Sequence, residues 1–101
     1  MKLAPKKTKT TIWKFPIRKP GELVELNMPK DAEILGCQVQ IDQPCIWARI
    51  DPETKLDDYK PRYFRIVGTG HIIRPEEDLI YIDTIQIHGG KLVFHIFEKL
   101  G

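Results

Sequence analysis

Hydrophobic and polar positions alternate along most of this chain, with a period of two. Thr10 to Phe15 alternates, is rich in β-formers and stops at Pro16. Glu22 to Leu26 follows a Pro20-Gly21 turn, and Pro29 to Asp31 is a second break. Glu33 to Ile41 sets Leu35, Cys37, Val39 and Ile41 on one face against Gly36, Gln38 and Gln40 on the other, the signature of a half-buried strand. Cys45 to Ile50 returns after a tight turn at Asp42-Gln43, which puts Ile41 opposite Pro44. Asp51 to Pro61 is polar and holds two prolines, so it reads as a loop. Arg62 to Val67 is the next strand, and Gly68-Thr69-Gly70 ends it. Arg74 to Asp78 is a charged connection of about one helical turn.

Leu79–Ile87 and Lys91–Phe97 form the clearest hairpin, because Gly89 and Gly90 can take the positive φ that hairpin turns need. Pairing Ile87 with Leu92, Ile85 with Phe94 and Asp83 with Ile96 gathers Ile85, Ile87, Leu92, Phe94 and Ile96 as core. The other face then pairs Thr84 with His95 and Ile82 with Phe97. No stretch carries a helical repeat longer than about two turns. About seven short strands with regular turns predict an all-β, single-domain antiparallel sandwich or barrel spanning 10–101.

Composition supports one globular domain. The 101 residues are 42% hydrophobic and 30% charged, enough for one core and not for two. No apolar run approaches the roughly 18 to 20 residues of a membrane span, and the basic start lacks the apolar stretch of a signal peptide. A cytoplasmic protein is expected. Cys37 and Cys45 fit that setting. In the hairpin register above, Cys37 faces Ala48 and Cys45 faces Gln40, so they are not a cross-strand pair and free thiols are expected.

Charge changes the picture at one end. The first 19 residues carry seven bases and no acid, while the rest carries nine bases against 14 acids. Residues 1–9 are therefore expected to be a flexible basic arm, and the acidic body argues against wholesale binding of duplex DNA.

Three segments together carry a resemblance: Cys45-Ile46-Trp47-Ala48-Arg49-Ile50-Asp51-Pro52, Phe64-Arg65-Ile66-Val67-Gly68-Thr69-Gly70-His71, and Gly89-Gly90-Lys91-Leu92-Val93-Phe94-His95-Ile96-Phe97-Glu98. In order and spacing, from about Trp13 to Glu98, the chain resembles a family of small uncharacterised proteins found mainly in tailed-phage and prophage genomes. The resemblance implies a bacterial host cell as the setting. It supplies no catalytic or binding residues.

The candidate site comes from the residues themselves. If the strand ending at Ile50 pairs with the one starting at Arg62, then Trp47 and Arg49 share an outward face with Tyr63 and Arg65, while Ile46, Ala48, Ile50, Phe64 and Ile66 turn inward. Aromatic rings beside guanidinium groups can stack a base and clamp a phosphate. The alternative is that Trp47 and Tyr63 pack against an adjacent protomer or cover a small second core. Gly68-Thr69-Gly70-His71 can present backbone N–H groups to an anion, with Thr69 and His71 adding donors. It can equally be a tight bend. His71, His88 and His95 lack the spacing of a metal motif, and no cofactor is expected. Serine is absent, which excludes a Ser-His-Asp triad.

These features lead to a non-enzymatic phage accessory protein that binds, as a homo-oligomer, an anionic small molecule such as a host defence nucleotide, or a host defence protein. The alternatives are a structural or assembly protein of the phage particle and a single-stranded nucleic-acid binder.

Overall fold

The computed structural model describes residues 9–18 and 21–101. The expected basic arm, apart from Lys9, and Pro20 of the expected turn lie outside the described residues. Seven strands form among the described residues: β1 (Thr11–Pro16), β2 (Leu23–Pro29), β3 (Glu33–Gln40), β4 (Gln43–Ile50), β5 (Tyr59–Gly68), β6 (Leu79–Ile87) and β7 (Leu92–Lys99). They build two antiparallel sheets, ordered β1-β4-β3 and β2-β5-β7-β6, with a single 3-10 turn at Leu56–Asp58. The arrangement is a sandwich rather than a closed barrel. Edge strand β3 lies beside edge strand β6, whereas β1 and β2 each keep one edge unpaired among the described residues.

The core lies between the sheets. Ile46, Ala48 and Ile50 point inward from β4, Val24 and Met28 from β2, Phe64 from β5, Ile85 from β6 and Ile96 from β7. The charged pair Arg62–Glu98 sits on the inward parity of β5 and β7. Arg62 donates to both Glu98 oxygens at 2.7 and 2.8 Å and to the Ala32 carbonyl at 2.6 Å. A guanidinium matched to a carboxylate in two parallel bonds can occupy this half-covered position because its donors are satisfied.

The β3–β4 hairpin turns one residue earlier than expected, at Ile41-Asp42, so Gln40 faces Gln43, Cys37 faces Ile46 and Cys45 faces Gln38. The reason is Pro44. A two-residue loop at Asp42-Gln43 would need the residue at 44 to donate the N–H that closes the hairpin, and proline has none. In the observed register both loop residues take positive φ, 48° and 61°, and Ile41 stands 95% exposed instead of facing the core. Both thiols are free and buried.

Two bulges reassign faces. A shift between Ile34 and Gly36 sends Leu35 outward and brings Ile34 against the core in its place. A second, between Tyr81 and Asp83, pairs Tyr81 rather than Ile82 with Phe97 and leaves Ile82 packed on the core. The rest of that hairpin has the expected register, from Asp83↔Ile96 to Ile87↔Leu92. Of its expected core, Ile85 and Ile96 are buried, Phe94 and Ile87 are partly buried, and Leu92 is exposed. β5 begins at Tyr59, inside the expected loop. Pro61 is accommodated because the β7 ladder starts at Tyr63, so that end of β5 has β2 alone beside it.

Candidate functional site

β4 and β5 do not pair. They belong to different sheets, and residues 51–58 carry the chain from one to the other. The expected face of Trp47, Arg49, Tyr63 and Arg65 is therefore split in two. Trp47 and Arg49 lie on the outer side of the three-stranded sheet. Arg49 pairs with Glu33, its cross-strand neighbour on β3, at 2.8 Å. Trp47 lies between Lys14 and Gly36 in the ladder, its Nε1 has no acceptor, and it lines a shallow groove of about 360 Å³ with Ile12, Leu35 and Asp83.

Tyr63, Arg65, Thr69 and His71 all belong to the four-stranded sheet and the bend that follows β5. Of these, only Arg65 and His71 line one cleft, while Tyr63 and Thr69 have separate partners. Strand alternation places Tyr63 and Arg65 on the outer side of that sheet, because Phe64 between them is buried. Arg65 lies between Leu23 on β2 and Phe97 on β7. Its Nε donates to Glu77 Oε1 at 2.8 Å, and its terminal nitrogens reach the carbonyls of Ile66 and Ile72 at 3.4 and 3.5 Å. Glu77 in turn accepts the Arg74 N–H at 3.0 Å, and its own N–H donates to the Arg74 carbonyl at 3.1 Å. Pro75 suits the second position of that turn because its φ is preset. These bonds tie the segment 69–78 back onto the sheet. The Arg65 guanidinium, and then the Arg74 N–H, hold the Glu77 carboxyl below its ordinary pKa. On the neighbouring rung, the hydrogen bond to Glu25 raises the Tyr63 hydroxyl above its usual value.

The glycine-rich stretch is a tight bend. The His71 N–H donates to the Gly68 carbonyl at 3.0 Å, and the Thr69 N–H to the Val93 carbonyl at 3.4 Å, so these two donors are already used. Gly70 has φ +88°, and a Cβ at Gly68 would meet the His71 ring at 3.1 Å. A polar chain runs from this bend across β7 to β6. Thr69 Oγ1 bonds His95 Nε2 at 2.8 Å, His95 Nδ1 bonds Thr84 Oγ1 at 3.1 Å, and Thr84 Oγ1 bonds the Tyr81 hydroxyl at 2.6 Å. The Tyr81 ring meets Phe97 edge-on, 5.7 Å between centroids.

Between the 69–78 segment and the sheet lies an open cleft of about 1300 Å³, lined by Leu23, Arg65, His71, Arg74, Glu77 and Lys99 among others. Glu22, Glu76 and Asp78 also reach it, so its bases and acids are nearly balanced. Sequence reasoning missed Glu77 and Tyr81 as members of this face; it placed Phe97 there, but opposite Ile82 rather than Tyr81. The Thr84–His95 pairing was readable and marked the outward positions of the hairpin. Glu77 carried no such mark, since a run of acids ordinarily signals a solvated turn. Among the described residues, no cluster of His, Cys, Asp or Glu is arranged to hold a metal ion, and no helix is long and apolar enough to cross a membrane.

A family model described as a domain of unknown function, DUF7352, matches residues 8–101. No curated protein and no solved structure matches the chain.

Proposed function

Taking as premise that the chain belongs to the DUF7352 family of unknown function, we propose that it is a non-enzymatic binding module of a phage accessory protein, and that it engages a host protein through the outer face of its four-stranded sheet. The phage and host setting rests on the likeness of the three segments described above. The observation that carries the choice of face is its apolar relief. Leu23, Tyr63 and Tyr81 are exposed beside Phe97, next to an open cleft of mixed charge. Aromatic side chains on a rigid sheet lose little freedom on binding and commonly anchor protein contacts.

A protein partner fits better than a nucleotide. Phosphate capture needs unengaged donors, and here Arg65 is tied to Glu77 and Arg49 to Glu33. The bend's Thr69 and His71 N–H groups are also spent. A cleft with balanced charges suits the mixed rim of a protein interface. The test is native mass spectrometry of the tagged chain purified from its bacterial host, for wild type and for Tyr81→Lys and Tyr63→Lys. The expected result is one host polypeptide at fixed stoichiometry, lost in both variants while circular dichroism stays unchanged. A retained polypeptide in both variants, or a small-molecule adduct in its place, overturns the reading.

A further inference from the structure

Two strand edges that stay unpaired among the described residues carry opposite charge. β1 ends one sheet and β2 ends the other, and no strand among the described residues forms a ladder with the free side of either. Among the described residues, the stretch 9–18 that contains β1 bears Lys9, Lys14 and Arg18 and no acid. The stretch 21–29 that contains β2 bears Glu22 and Glu25 and no base. Lys14 bonds the neutral Gln40 at 2.7 Å, so no carboxylate in that bond offsets its charge. The ion pairs recorded between described residues (Lys30–Asp58, Arg49–Glu33, Arg62–Glu98 and Arg65–Glu77) do not join β1 to β2.

The apolar faces at these edges are also incomplete. Trp13 has the inward parity of β1, opposite buried Ala48, yet it is 41% exposed. Its neighbour on that face, Phe15, packs against the core. Val24 and Leu26 hold the inward positions of β2. An antiparallel register that sets Lys14 opposite Glu25 also sets Trp13 opposite Leu26 and Phe15 opposite Val24. Inward faces then meet inward faces, and a cation meets an anion outside. The prolines lie at the ends of the strands, Pro16 and Pro29, so the intervening residues keep their N–H donors.

We propose that the partner of the β1 edge is the β2 edge of a second copy of this chain, paired antiparallel with Lys14 facing Glu25. Like-with-like pairing is disfavoured by the same charges, because β1 on β1 brings lysines together and β2 on β2 brings glutamates together. The contact joins unlike edges, so each copy offers one basic and one acidic edge to its neighbours. Main-chain bonds supply the attachment and the charge pattern selects the partner edge.

The test is sedimentation velocity of the full chain over a concentration series at low and at high salt. Wild type should self-associate, and more weakly at high salt. Lys14→Glu and Glu25→Lys should each weaken association about tenfold or more, since like charges then face one another. Mixing the two single variants should restore association, because each supplies the edge that the other lacks, and the double variant should associate with itself. Circular dichroism confirms that the variants fold. A wild-type chain that stays monomeric at every concentration overturns the proposal. So does association that either single variant leaves unchanged, or a mixture no stronger than its components.

Discussion

Asp83 on β6 reaches across the seam between the sheets, and its Oδ2 accepts the backbone N–H of Cys37 on β3 at 3.1 Å. A carboxylate of one sheet thus takes the place of a rung at the edge of the other. Both strands are irregular here, with one bulge beside Gly36 and the other beside Asp83. The approach is close enough that a Cβ on Gly36 would lie 3.1 Å from the same Oδ2. The other oxygen, Oδ1, accepts the N–H of Thr84 at 3.0 Å.

Removing this carboxylate strands a buried N–H. Asp83→Ala should destabilise the domain by about 1–3 kcal/mol, the usual penalty for an orphaned buried donor. Asp83→Asn keeps an acceptor oxygen and should lose less. Urea titrations of the two variants and wild type give the order. Equal losses would show that the charge, and not the acceptor, is what the seam uses.

The same neighbourhood sets an alkaline limit. Burial first, then the Asp83 charge and the neighbouring Cys45, push the Cys37 thiol from 9.0 up to about 12. Between those values the unfolded chain releases the proton and the folded chain keeps it. Stability contributed by this group is therefore whole below pH 9 and falls as pH rises toward 12. Thermal melts from pH 8 upward should show this decline, and Cys37→Ala should flatten it. Native labelling should be slow, and denaturation without reductant should release two free thiols.

Burial ranks the aromatic core. Phe64 is fully buried, whereas Phe94 only packs against the cluster from its margin. Phe64→Ala should cost about 3–5 kcal/mol and unfold much of a domain of this size. Phe94→Ala should cost less, since part of the ring already meets solvent. A larger loss for Phe94→Ala in denaturant would contradict this ranking.

The strands were legible because alternation survives wherever one face is dry and the other wet. The β6–β7 hairpin could be registered because its glycines fix the turn and Ile85, Phe94 and Ile96 fix the face. The β3–β4 turn was also legible in principle: Pro44 forbids the register that alternation alone suggests. The bulges at Leu35 and Ile82 were not, since one inserted residue changes the face without changing the composition. The split of the aromatic–arginine face had a further cause. Trp47 and Tyr63 lie on consecutive strands, and consecutive strands usually pair, but residues 51–58 cross between sheets. Nothing in that polar stretch distinguishes a crossing loop from a long hairpin.

Acid should loosen the segment that frames the cleft. Arg65 lowers the Glu77 pKa, so the folded chain holds this carboxylate ionised where the unfolded chain has begun to protonate. The stabilisation is present above the ordinary value of 4.5 and is lost as pH falls through the lower folded value. Hydrogen exchange across 69–78 should accelerate in that acidic window, and Glu77→Gln should accelerate it at neutral pH. Exchange in 69–78 that stays slow in Glu77→Gln would mean the polar chain through Thr69 and His95 holds the segment unaided.

Arg65 and Glu77 should also act as a unit in partner binding. With its side chain only 14% exposed and its guanidinium bonded to Glu77, Arg65 has little surface left for a partner and instead fixes the 69–78 segment. Arg65→Ala and Glu77→Ala should then weaken binding alike, by about 1–2 kcal/mol each. The double variant should lose no more than the worse single variant, because both remove the same tie. Isothermal titration with the captured host protein provides the four values of the cycle. An anionic ligand held directly by Arg65 predicts a different pattern. Glu77→Ala would release the guanidinium from its competitor and tighten binding, while Arg65→Ala would abolish it. Opposite signs for the two single variants would therefore move the function from a protein contact to the capture of an anion.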